Sequence, residues 1–335
     1  MKRSSVFGPN ARNCLGRMLN WQWGIVGLVA LQACGISDQP AKSSDLQSES
    51  TLVQLPTEFE LDMAPTPRGL HLLKGTAKGK ELNVLLDTGV PTFFVSSDIQ
   101  SIFADHFEGQ SIVRGANGVE LPVTNIREVN LSFGSRNGSI AVVADYGLGG
   151  AFESSRSPGI DLLLNPRFLA VGGWAELDFS LSRISLGRDM LTYKCRGEHT
   201  PGAEYFRVMT DWNYRFSSSL KSGGAVSVLF DTGSEVSILF DPDAKLQDSG
   251  SASSRTARTV FGDLSLTEVR QLSVSIDEDT QMTFDSYVSN ERALPGVDLI
   301  VGMDVMNDAK LLICDGQFPV LLVRKVARHR AGNPQ

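Results

Sequence analysis

From about residue 57 onward, apolar residues come in short runs broken by Gly, Ser, Asn and Asp, and helical periodicity is scarce. That pattern predicts a mostly β protein. Val129, Leu131 and Phe133 alternate with polar residues, as do Leu272, Val274 and Ile276, which predicts half-buried strands. "DLLL" at 161–164 and "DLIV" at 298–301 are continuously apolar, as strands buried on both faces are. "LHLLKGTAKGKELNVLL" reads as two strands around a Gly-Lys turn, a hairpin that delivers Asp87 at its exit. Short helical turns are expected at "NPRFL" and "GMDVM", a loop at Tyr146–Phe152, and an exposed Ser-rich stretch at Ser249–Ala257.

The pattern occurs twice. One copy runs from "GLHLLKGTAKGKELNVLLDTG" to "SPGIDLLLNPRFL" and "AELDFSLSRISLG"; the other runs from "VSVLFDTGS" to "LPGVDLIVGMDVM" and "KLLICDGQFPVLL". Asp87 and Asp231 lie 144 residues apart, and Pro158 and Pro295 lie 137 apart. Two landmarks in the same order, with an offset that changes by seven, point to a duplicated unit.

A lone Asp at the end of an apolar strand ordinarily caps a surface turn, because a buried unpaired carboxylate is costly. Here the same Asp-Thr-Gly stands at the same point of both copies. If a two-fold axis relates the copies, both turns meet on it. Two carboxylates that close share a proton, so one can act as a base toward water while the other donates to a carbonyl. Gly89 and Gly233, without a Cβ, permit tight turns in which backbone N–H groups approach the carboxylates. The hydroxyls of Thr88 and Thr232 are placed to bond across the axis, and Ser234 to donate to Asp231.

Composition narrows the alternatives. The 335 residues carry a formal charge of −7, with 41% hydrophobic and 21% charged residues, the balance of an ordinary globular protein. The length allows two domains of about 150 residues. Four basic and no acidic residues fall in 1–33, so the remainder carries −7 − 4 = −11, which argues against nucleic acid as a partner. The four histidines are scattered, no metal or other cofactor is expected, and no G-x-S-x-G elbow is present.

The N-terminus has a basic flank, the apolar run "WGIVGLVAL" and small residues before Cys34, which is the export pattern. Its Leu31–Cys34, "LQAC", resembles the bacterial lipobox. That resemblance implies a signal segment 1–33, lipidation of Cys34 and a tether over 34–56, with the folded part facing the periplasm on a membrane. Secretion is the alternative. Cys195 and Cys314 would remain as a possible disulfide pair in an oxidising compartment, though Cys314 reads equally well as a buried thiol.

"LLDTGV", "LFDTGS" and "DLIVGMDVM" resemble the aspartic proteases of the retropepsin and pepsin clan over about Gly69 to Val323. The resemblance implies an all-β, bilobal acid-protease fold of two duplicated retropepsin-like lobes, 57–192 and 193–335, with the active cleft between them. It implies an endopeptidase in which Asp87 and Asp231 activate a water, supported by Thr88, Gly89, Thr232, Gly233 and Ser234. One chain supplies both aspartates, so a monomer suffices for activity on a peptide or protein substrate. Flap hairpins match 113–119 and 259–264, two alike in one chain, as in a fused retropepsin dimer. Val90, Pro91 and Asn165 depart from the family pattern. The alternative is a non-catalytic envelope lipoprotein that binds extended peptides in the same fold.

Overall fold

A computed structural model describes residues 58–114, 120–135, 138–150, 152, 159–188, 195, 205–221, 223–240, 254–259, 262–275, 281–291, 294 and 296–324. The signal segment, Cys34, the tether, Pro158, Pro295, Ile276 and the flap tips 115–119 and 260–261 lie outside these residues. The described residues are predominantly β and arranged in three sheets.

The first sheet orders its strands Ala64–Pro65, His71–Ala77, Lys80–Leu86, Leu162–Leu164, Phe93–Val95, Gly138–Gly149, Glu120–Ser135 and Phe107–Arg114. The second orders Arg215–Ser219, Ala225–Phe230, Leu299–Val301, Ile238–Phe240, Gln281–Ser289, Gly262–Ser275 and Ser254–Thr259. Apart from the two-residue strand at 64–65, the second order reproduces the first, strand for strand. Register agrees as well: Leu86 pairs in parallel with Leu164, and Phe230 with Val301. Each sheet also curls back on itself, through Gly75↔Phe133 in the first and Leu220↔Val274 in the second.

Local sequence explains these strands. In His71–Ala77 alternate positions are buried, and its turn at Lys78 and Gly79 has φ of 48° and 80°, the geometry that reverses a tight hairpin. Leu162–Leu164 and Leu299–Val301 are buried throughout, as expected of central strands. The two helical turns form at Pro166–Ala170 and Met303–Met306. The expected loop at Tyr146–Phe152 is strand over Tyr146–Gly149, which completes Gly138–Gly149 and sets Gly147 against Phe93. Of the Ser-rich stretch, Ser254–Ala257 falls in Ser254–Thr259, with Thr256 exposed.

The third sheet mixes both halves of the chain: Glu58–Asp62, Arg183–Gly187, Trp174–Asp178, Ala309–Cys314, Val320–Arg324 and Tyr205–Met209. Trp174–Asp178 and Ala309–Cys314 pair antiparallel at its centre, so each half contributes three strands about a local two-fold. Its residues alternate by face. Leu311, Ile313, Leu321 and Val323 join the main core, whereas Leu312, Cys314, Val320 and Leu322 form a second cluster with Trp174 and Cys195.

Cys195 and Cys314 are joined by a disulfide across that second cluster, with Cα atoms 5.9 Å apart. The bond closes a loop of sequence separation 119, so it removes much unfolded-chain entropy. Replacing both cysteines with Ala is expected to cost about 2–5 kcal/mol, read as a lower denaturant midpoint. Reductant should lower the midpoint of the parent chain similarly and leave the variant's unchanged.

Candidate active site

Asp87 and Asp231 end the strands Lys80–Leu86 and Ala225–Phe230. The Asp87 N–H donates to Leu164 O at 2.9 Å, and the Asp231 N–H to Val301 O at 3.0 Å. Behind each turn an aspartate at the head of the central strand repeats one clasp. Asp161 Oδ2 accepts from Asn83 N at 2.8 Å, and Asp298 Oδ2 from Ser227 N at 2.9 Å. The two Asp-Thr-Gly turns are therefore held alike by their own sheets.

Across the junction they hold each other. The Thr88 N–H donates to Thr232 Oγ1 and the Thr232 N–H to Thr88 Oγ1, both at 3.0 Å. Each hydroxyl then donates onward to the opposite strand, Thr88 Oγ1 to Phe230 O and Thr232 Oγ1 to Leu86 O, both at 2.6 Å. Both threonines are buried at 3% exposure, so these reciprocal bonds are shielded from water.

The carboxyls lie directly above. Gly89 N donates to Asp87 Oδ1 at 2.7 Å and Gly233 N to Asp231 Oδ1 at 2.9 Å. Each glycine faces the other half's carboxylate. A Cβ on Gly233 would lie 2.4 Å from Asp87 Oδ2, and one on Gly89 would lie 2.8 Å from the Asp231 carboxylate. The glycines serve less for unusual dihedrals than for the room they leave.

Asp87 and Asp231 are 7% and 8% exposed and share a hydrogen bond. Burial, then the Asp231 charge, holds the Asp87 carboxyl well above the usual carboxylate range. Burial also raises Asp231, against donors from Gly233, Asp87 and Ser234 that favour its charge. The two carboxyls therefore titrate as one unit that holds a shared proton above the usual carboxylate range.

This has a consequence for stability. The folded pair keeps a proton that the unfolded chain releases above about pH 4, so folding takes up a proton. The contribution is complete below the unfolded value and is lost as pH rises through the raised folded range. Asp87→Asn retains a donor but cannot ionise. Its Tm at pH 7 should exceed that of the parent, with the gap closing toward pH 4. A variant less stable than the parent at pH 7 would contradict the coupling.

Ser234 departs from expectation. Its hydroxyl donates to Val236 O at 2.7 Å rather than to Asp231, because that carbonyl lies two residues along the same turn. Asn165 departs too. With φ of −63° it needs no left-handed backbone, and its side chain makes contacts instead: Nδ2 donates to Val90 O at 2.6 Å, while Oδ1 accepts from Arg167 N and Tyr214 Oη, both at 3.0 Å. Tyr214, fully buried, is a residue the sequence did not single out. The Asn165-Pro166 dipeptide was the available signal, since a proline removes a backbone donor.

Among the described residues no group of three or more His, Cys, Asp or Glu is arranged to hold a metal ion, and no helix is long and apolar enough to cross a membrane. The site's chemistry is that of two buried, proton-sharing carboxyls on reciprocally bonded turns. Neither models of known protein families nor curated proteins give a match to this chain.

Proposed function

We propose that the chain is an aspartic endopeptidase, a bilobal acid-protease fold in which residues 57–192 and 193–335 are duplicated retropepsin-like lobes. The observation that carries the reading is the reciprocal bonding of Thr88 and Thr232 beneath two buried carboxyls that share a proton. The common strand order of the two sheets supports the lobe assignment.

In this reading ionised Asp231 takes a proton from a water while Asp87 donates its proton to the scissile carbonyl. The water oxygen bonds to the carbonyl carbon and gives a neutral tetrahedral diol. Collapse breaks the C–N bond, with the proton gained by Asp231 passing to the leaving nitrogen. A diol hydroxyl returns a proton to Asp87 as the carboxylic acid forms. No covalent enzyme intermediate arises. A single chain completes the site, and the lipobox-like Leu31–Cys34 is compatible with a membrane-anchored periplasmic enzyme.

The test is incubation of the full chain with an unstructured protein from about pH 3 to 7, with and without a statine-type inhibitor. Cleavage that the inhibitor suppresses supports the proposal. Cleavage indifferent to the inhibitor refutes the dyad. Absence of cleavage throughout favours the peptide-binding alternative, to which Val90, beside Asp87, and the Ser234 hydroxyl's turn toward Val236 lend their weight.

A further inference from the structure

In the second sheet the residue after Asp-Thr-Gly is anchored from behind by a peptide donor: the Met303 N–H bonds to Ser234 O at 2.8 Å. The matching positions in the first sheet are Val90 and Pro166, fixed by the registers Leu86↔Leu164 and Phe230↔Val301. Proline has no N–H, so the equivalent bond to Val90 O cannot form. A buried carbonyl left without a donor would loosen the turn that carries Asp87.

Asn165 fills the gap. Its Nδ2 reaches the same Val90 O at 2.6 Å. An amide can flip, and flipped it would present oxygen to oxygen. Two donors prevent that by converging on Oδ1: Arg167 N from the following turn, and Tyr214 Oη from the other half of the chain. Tyr214 is itself fixed, since its backbone carbonyl accepts Phe230 N at 3.1 Å immediately before Asp231. The path Asp231–Phe230–Tyr214–Asn165–Val90–Asp87 thus joins the two carboxyl turns by a second route, separate from Thr88 and Thr232. At position 302 the same solution is closed off, because any Cβ there would lie 2.5 Å from Val236 O.

We propose that Asn165 and Tyr214 are positioning residues for Asp87: the Asn165 amide replaces the peptide donor that Pro166 lacks, and the Tyr214 hydroxyl sets that amide's orientation. This rests on reading the site as a protease centre. The residue pair Asn165-Pro166 is then an alternative to Gly302-Met303 and leaves the first turn as well supported as the second.

The test restores the second sheet's solution in the first. Asn165→Gly is expected to lower kcat by about 10–100-fold with KM nearly unchanged. Its pH–rate profile should move upward, because a loosened turn weakens the N–H donors that favour the Asp87 charge. Asn165→Gly combined with Pro166→Met supplies a peptide N–H and should regain most of the rate and the original profile. Tyr214→Phe should lower kcat several-fold in the parent and have no such cost in the Gly/Met background, where no amide remains to orient.

Parental kcat and pH profile in Asn165→Gly would overturn the proposal, as would a double variant no better than the single or one that fails to fold. An equal cost of Tyr214→Phe in both backgrounds would overturn the role of the tyrosine. If the parent cleaves nothing, the protease reading falls on its own. Tm then decides the network: a drop in Asn165→Gly that Pro166→Met reverses upholds it, and no reversal ends it.

Discussion

Asp231→Asn is expected to lower kcat for cleavage of an unstructured protein by about 10²–10⁴-fold, the range that a positioned general base contributes. The loss should be specific to chemistry. The Thr88–Thr232 bonds run through hydroxyls and main chain, so the two turns keep their frame when a carboxylate becomes an amide. KM and the near-ultraviolet spectrum should change little, and Tm should not fall. An Asn cannot take a proton from water, and the remaining Asp87 loses the negative neighbour that contributes to its raised pKa. Parental kcat in this variant would leave the carboxyl pair without a catalytic role.

Gly233→Ala should be as damaging for a different reason. The added methyl would stand 2.4 Å from Asp87 Oδ2, well inside any real contact, so the turns must part or the carboxyl must rotate away. Separation breaks the carboxyl–carboxyl hydrogen bond and strains the reciprocal threonine bonds beneath. We expect at least a 10²-fold loss of kcat together with about 1–3 kcal/mol of overpacking cost, read by denaturant unfolding. Gly134→Ala is the control, because no atom lies within 4 Å of a Cβ there. Comparable effects from the two substitutions would mean that room beside Asp87 is not what Gly233 provides.

The carboxyl turns were legible in the sequence because they repeat. Asp87 and Asp231 carry the same tripeptide at matching points, and strand alternation around Val129, Leu131 and Phe133 is a local signal that the sheet preserves. Features that depend on what a side chain finds across the fold were not legible. The Ser234 hydroxyl rotates to the nearest acceptor, Val236 O, and sequence does not say which acceptor is nearest. Gly147 lies in a stretch that reads as loop, whereas the Phe93 ring fills the space its side chain would need within a strand. In the sequence Asn165 stands out only as a departure from the family pattern, and the neighbour that explains it is Pro166. Tyr214 gave no signal, since its partner lies 49 residues away in sequence.

The central pairing of the third sheet also sets an order of events. Trp174 lies opposite Cys314, and 314 − 174 = 140 residues separate them. The chain emerges N-terminus first, so the strand Trp174–Asp178 is present before its partner arrives. Through that interval the first half presents an unpaired apolar edge, the kind that templates association with another chain. Once Ala309–Cys314 arrives the edge is closed on both sides. Strands from the second half of the chain are thus the ones that shield the first half from its own copies.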